Sequence, residues 1–138
     1  MMLVIDANSI IAAIIRNSGA RRIIVSGEFI LVSPEFLVEE IEKYKTYIMK
    51  KSGMGKEELN LLITLLLKRV RILPHAEYEN KIPEAKLLMT EDALDVPYVA
   101  VCLALKCNGI WTNDKHYEYK KKIKVFKTEH LLKLLPQE

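Results

Sequence analysis

The stretch M-L-V-I-D-A-N-S-I-I-A-A-I-I, residues 2–15, determines the fold class of this chain. Its first four residues form a short apolar run that ends at Asp6. Such a run is typical of a strand buried on both faces of a sheet. The apolar segment that follows has the composition of a buried helix. A buried strand that leads into a helix is the first half of a βαβ unit.

The same succession of strand and helix recurs along the rest of the chain. Further strand-like runs lie at 29–32, 70–73, 110–112 and, more weakly, 125–126. Helical patterns separate these runs. The alternation predicts an α/β fold, a three-layer α/β/α sandwich whose central parallel sheet has four to five strands. The chain contains no linker or repeat, and we expect a single domain over its 138 residues.

Three helices matter for the candidate site. One is predicted over 35–50, with Ser33 as its N-cap and Pro34 in its first turn. A second is predicted over 94–106, and a short third one over 114–121.

The bulk composition is that of a globular protein, with 50% hydrophobic and 28% charged residues. The net charge of +3 is too small to indicate nucleic-acid binding by itself. No apolar run reaches the ~20 residues that cross a bilayer, and the N-terminus lacks the pattern of a secretory signal. We therefore expect a soluble protein of the cytoplasm with no membrane contact.

Four carboxylates fall where a parallel sheet would gather them at one edge. Asp6 ends the first strand, Asp114 follows the fourth strand, Asp95 opens the helix over 94–106, and Glu40 lies within an earlier helix. Ligands of open α/β sheets bind beyond the carboxyl ends of the strands. An acidic cluster without histidine or cysteine indicates a hard divalent cation, Mg²⁺ or Mn²⁺.

Electrostatics and chemistry both favour a cation at such a cluster. Two carboxylates ~4 Å apart repel by about 4 kcal/mol at an effective dielectric constant near 20. A divalent ion relieves this repulsion and lowers the pKa of a bound water, which can then attack a phosphodiester. We predict Asp6, Asp95 and Asp114 as metal ligands and, together with Glu40, as catalytic residues.

Several of these residues also have a simpler structural interpretation. Asp6 or Asn8 can act as the N-cap of the first helix, and Asp114 can cap the helix that follows it. Either Asp92 or Asp95 must lie close to the N-cap of the helix over 94–106. The sequence leaves these alternatives open, and Asn8 is retained as a supporting residue.

The helix carboxylate is also ambiguous, because Glu39 and Glu40 are adjacent. Glu40 shares a face with apolar residues, and a carboxylate there is costly unless it is paired or metal-bound, so Glu40 is preferred. Near Asp114, the hydroxyl of Thr112 and the amide of Asn113 are predicted to support the site by bonding carboxylates or a phosphate.

A basic segment at 115–124 follows Asp114 directly and contains two tyrosines. We predict that Lys115 guides a phosphate backbone and that Tyr117 stacks on a base. A solvated helix face is the alternative interpretation. The stretch at 56–68 is apolar enough to contact a second copy or a partner protein.

Four motifs together resemble the PIN domain family of metal-dependent nucleases. They are V-I-D-A-N-S-I at 4–10, E-E-I at 39–41, D-A-L-D-V-P-Y-V-A-V-C-L-A-L at 92–105 and I-W-T-N-D-K at 110–115. The resemblance implies a Rossmann-like sandwich and Mg²⁺- or Mn²⁺-dependent cleavage of single-stranded RNA, with the family's four acids at Asp6, Glu40, Asp95 and Asp114. Many small single-domain prokaryotic members that look like this chain are toxins, usually homodimeric, that a small antitoxin protein silences.

Two other functions remain compatible with the sequence. The first is a catalytically silent PIN fold that serves as a platform for binding RNA or protein. The second is a phosphatase with a strand-end aspartate nucleophile. The phosphatase would need an Asp-x-Asp start, whereas this chain has Asp6 and Asn8 in those positions.

Overall fold

The computed structural model describes residues 1–89, 95–114 and 123–136. Within these ranges a five-stranded sheet has the order β3-β2-β1-β4-β5, and every neighbouring pair is parallel. The strands are β1 Met2–Ile5, β2 Ile30–Pro34, β3 Val70–Leu73, β4 Gly109–Trp111 and β5 Val125–Phe126. The predicted α/β sandwich with a parallel sheet of four to five strands is confirmed.

Eight α-helices connect and cover the strands within the described ranges. They are α1 Ala7–Ile15, α2 Gly19–Ser26, α3 Phe36–Lys43, α4 Lys45–Ser52, α5 Lys56–Leu67, α6 Ile82–Leu88, α7 Val96–Leu105 and α8 Thr128–Leu134. Two short 3₁₀ turns, His75–Glu77 and Glu79–Lys81, follow β3. No helix in the described part of the chain is long and apolar enough to cross a membrane.

The central strand β1 is the most deeply buried part of the sheet. Leu3, Val4 and Ile5 have no exposed surface, and burying a side chain of this size contributes roughly 1.5–3 kcal/mol. Helix α7 packs across β1, β2 and β4. Because Leu3, Val4 and Ile5 are consecutive and all buried, both faces of β1 are covered, which agrees with its continuous apolar sequence.

The topology of the sheet fixes the position of the candidate site. The chain proceeds from β1 to β2 and β3 on one side and later adds β4 and β5 on the other side. The direction of winding therefore reverses between β1 and β4, and ligands bind at such a reversal, beyond the carboxyl ends of the strands.

The structure corrects the prediction of a single helix over 35–50. Instead α3 and α4 meet at Tyr44, whose backbone (φ −97°, ψ 10°) lies outside the helical range. Ser33 and Pro34 end β2 and do not begin α3. The buried Ser33 hydroxyl donates a hydrogen bond to the Ile5 carbonyl (2.9 Å), and Glu35 takes the N-cap position.

Of the other two predicted helices, one lies within the described ranges and one lies almost entirely outside them. The helix predicted over 94–106 is α7, whose described span is Val96–Leu105. The short helix predicted over 114–121 falls almost entirely on residues outside the described ranges. The apolar stretch at 56–68 forms α5, where Leu61 and Leu65 are exposed on the surface.

Candidate active site

The four predicted acids line one small pocket at the carboxyl edge of the sheet. The pocket has a volume of about 140 Å³. Its lining residues are Asp6, Ala7, Asn8, Glu40, Tyr44, Asp95, Tyr98 and Asp114. The structure thus brings together side chains from four separate segments, which lie after β1, within α3, before α7 and after β4.

Asp6 is both a helix cap and a wall of the pocket. Its Oδ1 accepts a hydrogen bond from the amide of Ser9 (2.9 Å), which makes Asp6 the N-cap of α1. Burial is the main reason that the pKa of Asp6 rises from 3.8 to about 6, and the negative charge of Asp114 adds to this. Hydrogen bonds from Thr112 and Ser9 act in the opposite direction. The capping and site interpretations of Asp6 are therefore compatible.

Thr112 links the ends of the two central strands. The side chain is fully buried, and its Oγ1 accepts a hydrogen bond from the amide of Asp114 (2.9 Å). The same hydroxyl hydrogen-bonds the carboxylate of Asp6. Thr112 therefore hydrogen-bonds both strand-end aspartates, and its supporting role stays a prediction.

Asn113 lies beside the pocket, and its side chain hydrogen-bonds Thr128 at the start of α8 instead of a carboxylate. Its Nδ2 donates to Oγ1 of Thr128 (3.1 Å), and its Oδ1 accepts from the amide of Thr128 (3.1 Å). The indole nitrogen of Trp111 also donates to Oγ1 of Thr128 (3.0 Å). Asn113 thus fixes the backbone between β4 and Asp114.

Glu40 and its neighbour Glu39 line different cavities. Glu40 lies in the acidic pocket, whereas the exposed Glu39 lines a separate cavity with Phe36, His75 and Tyr78. Glu40 and not Glu39 therefore shares a pocket with the aspartates, and its catalytic role stays a prediction.

Tyr98 is a residue of the pocket that the sequence analysis did not select. Its hydroxyl donates a hydrogen bond to Oε1 of Glu40. Burial, this hydrogen bond and the charges of Glu40, Asp6 and Asp95 raise the pKa of Tyr98, so it stays protonated and can act as a donor. The signal was present, because Tyr98 follows Asp95 by three residues and so shares a helix face with it.

Tyr44 also lines the pocket. It is the residue at which α3 ends, and its amide donates a hydrogen bond to the carbonyl of Glu40 (3.1 Å). The side chain is 38% exposed and so is not part of the core.

Asp95 occupies the N-cap position of α7, with Pro97 in the first turn of that helix. Of the two aspartates that could start α7, Asp95 therefore does so, and Asp92 lies outside the described residues. Lys115 and Tyr117, the predicted substrate-binding residues, also lie outside the described residues.

The chemistry of the pocket fits a hard cation better than a soft one. Its polar lining consists of carboxylates, an amide and tyrosine hydroxyls, and Mg²⁺ and Mn²⁺ prefer oxygen ligands of this kind. Within the described ranges, no three His, Cys, Asp or Glu side chains stand close enough together to form a ready-made metal site. Asp6, Asp95 and Asp114 are the pocket aspartates that could hold a cation.

Comparison with known proteins identifies the family. The PIN domain family model matches residues 4–133. The chain therefore belongs to the PIN domain family, and the resemblance noted in its motifs is confirmed. PIN domains are generally nucleases that depend on a divalent metal.

The fold is also found among solved structures. One match is a chain of the crystal structure of VapBC2 from Rickettsia felis bound to a DNA fragment from their promoter. The match has a TM-score of 0.70 at 13% sequence identity and covers 92% of this chain and 98% of that chain. At this identity the similarity concerns the fold. A search of curated proteins finds no match.

Proposed function

We propose that this protein is a metal-dependent endoribonuclease that hydrolyses phosphodiester bonds of single-stranded RNA. The observation that carries the proposal is the convergence of Asp6, Glu40, Asp95 and Asp114 on one pocket at the reversal of the sheet. Membership of a family of nucleases supports it.

In this proposal Asp6, Asp95 and Asp114 hold Mg²⁺ or Mn²⁺. A divalent ion held there would supply a water of lowered pKa and would offset negative charge on the phosphate oxygens. Thr112 keeps the two strand-end carboxylates oriented through its bonds to Asp6 and to the amide of Asp114. Because Asp6 must be ionised to bind a cation, we expect metal affinity to fall as the pH drops below about 6.

Glu40 is the proposed general base. Tyr98 donates to one of its carboxylate oxygens and so fixes the orientation of the group at the pocket wall. A positioned carboxylate can accept a proton from the attacking water, an effect worth typically 10²–10⁴-fold in rate. Tyr98 is in this scheme a positioning residue.

Cleavage of a fluorescently labelled single-stranded RNA tests the proposal. We expect cleavage with Mn²⁺ or Mg²⁺ and none with EDTA. We expect Glu40→Gln to reduce kcat at least 100-fold, within the usual range for loss of a general base. Glu39→Gln is the matched control, because it removes the same charge one residue away, outside the pocket. Equal activity of Glu40→Gln and the wild type would refute the assignment.

We further propose that the protein acts as the toxin of a toxin–antitoxin pair. The nearly complete overlap with a chain from the VapBC2 structure supports this role. The exposed Leu61 and Leu65 of α5 are consistent with the predicted contact with a second copy or a small antitoxin. Induced expression in a bacterial host should arrest growth, and expression of Asp6→Asn should not. Normal growth on wild-type expression, with soluble active protein present, would contradict the toxin role.

A further inference from the structure

A second cavity adjoins the acidic pocket and has the opposite charge character. It has a volume of about 440 Å³. Two cations, Arg16 and Lys127, contribute to its walls, together with Ser18, Asn113 and Thr128. Glu129 is the single acid among the described lining residues. Its side chain is 72% exposed and lies 3.9 Å from the ring of His130, so it is largely solvated.

Two continuous stretches of chain connect this cavity to the acidic pocket. Asn113 lines the cavity, and the next residue, Asp114, lines the pocket. On α1, Asn8 lines the pocket and Ala12 lines the cavity. These positions are four apart and share a helix face, so this face of α1 leads from the acids to the cavity. Arg16, the residue that follows α1, also lines the cavity.

The wall of the cavity is built from packed, hydrogen-bonded elements. Asn113 and Thr128 are joined by two hydrogen bonds of 3.1 Å. On the opposite side, α2 begins at Gly19, where an added Cβ would lie 2.7 Å from Cδ1 of Leu132. Because α2 and α8 approach each other this closely, the cavity is preformed in the folded chain.

We propose that this cavity binds a nucleotide of the RNA strand next to the cleaved bond, with its phosphate at Arg16 and Lys127. The inference rests on the proposed nuclease function, since it assigns a second position to the same substrate. The acidic pocket suits a cation and repels a phosphate that no cation accompanies. The adjoining cavity, in contrast, is lined by the cationic side chains of Arg16 and Lys127, which can bind a phosphate. Its volume lies within the ~300–1,000 Å³ of typical small-ligand sites, which is enough for a nucleotide.

Binding of a labelled single-stranded RNA decamer in EDTA, where the proposed metal-dependent cleavage cannot proceed, tests the proposal without requiring catalysis. Fluorescence anisotropy would give Kd over a series of KCl concentrations. We expect Arg16→Ala and Lys127→Ala each to weaken binding at least fivefold. Each should also lower the slope of log K against log salt by about 0.7, the value for one phosphate contact on a single strand. Arg16→Lys should restore affinity to within about threefold of the wild type.

Arg22→Ala and Lys133→Ala are the matched controls. Both remove an exposed cation, one on α2 and one on α8, and neither residue lines the cavity. We expect less than a twofold change for either control. Equal weakening by variants and controls would overturn the proposal, because it would indicate only long-range electrostatic attraction. Absence of decamer binding by the wild type would overturn it as well.

The cleavage assay separates this inference from the proposed function. Arg16→Ala and Lys127→Ala should raise KM with kcat within about twofold of the wild type. If the wild type binds the decamer through Arg16 and Lys127 but cleaves no RNA, the subsite stands and the nuclease proposal fails. If RNA is cleaved with an unchanged KM in both variants, the subsite fails and the nuclease proposal stands.

Discussion

Replacing Asp6 with asparagine should stabilise the metal-free protein, by an amount that depends on pH. Asparagine keeps an oxygen that can accept the Ser9 amide, but it cannot ionise. In the wild type the pKa of Asp6 is about 6 in the folded chain, against 3.8 as its ordinary value. The folded state therefore binds this proton more tightly than the unfolded state. The protonated carboxyl of Asp6 therefore contributes to the stability of the folded state. This contribution is fully present below pH 3.8 and is lost as the pH rises through 6.

The size of the effect follows from the two pKa values. Their difference corresponds to a cost of about 3 kcal/mol above pH 7, because one pH unit is equivalent to about 1.4 kcal/mol. At pH 4 the same calculation leaves a cost on the order of half a kcal/mol. Asp6→Asn removes this cost. For a domain of this size, about 3 kcal/mol corresponds to a rise in Tm of roughly 10 °C.

Urea unfolding in EDTA, at pH 7.5 and at pH 4, measures the free energy of unfolding of both proteins. Glu39→Gln serves as the control, because this exposed residue lies outside the acidic pocket and its loss should change stability by less than about 0.5 kcal/mol. Added Mn²⁺ should stabilise the wild type more than Asp6→Asn. A variant that is no more stable than the wild type at pH 7.5 would refute the argument that Asp6 is held ionised at a cost.

Three further substitutions, one of them with a matched glycine control, test other parts of the structure. Tyr98→Phe removes the hydroxyl that donates a hydrogen bond to Glu40. It should lower kcat about tenfold or more and shift the pH–rate profile, with little change in KM. An unaltered pH–rate profile would contradict the positioning role of Tyr98. Gly109→Ala should cost about 2–3 kcal/mol in urea unfolding, because its Cβ would collide with the backbone oxygen of Lys124 in the adjacent chain segment. Gly55→Ala, which meets no atom within 4 Å among the described residues, should cost under about 1 kcal/mol. Ser33→Ala should cost about 1–2 kcal/mol on the same measurement, because it removes the donor to the buried Ile5 carbonyl; an unchanged stability would show that this bond contributes nothing.

The sequence predicts the parts of the site that depend on local pattern. Asp6 and Asp114 could be placed at one edge, because parallel strands end on the same side of a sheet. Glu40 could be preferred over Glu39, because helical spacing separates an inward face from an outward one. Both inferences need only the periodicity of one element and the topology of the sheet.

The remaining features depend on contacts between distant segments, which periodicity does not encode. The bend at Tyr44 occurs without glycine or proline, so no residue marks it. The bond between Tyr98 and Glu40 joins side chains that are 58 positions apart. The basic cavity is formed where α1 ends and where α2 and α8 begin, so its two cations, Arg16 and Lys127, are brought together only by folding.

The central claim is that Asp6, Asp95 and Asp114 hold one divalent cation in the acidic pocket. Anomalous diffraction from crystals grown with Mn²⁺ tests it most directly. We expect a peak in the pocket, with carboxylate oxygens of these three residues within about 2.5 Å. A pocket with no Mn²⁺ peak, in a protein that still requires Mn²⁺ to cleave RNA, would contradict the account.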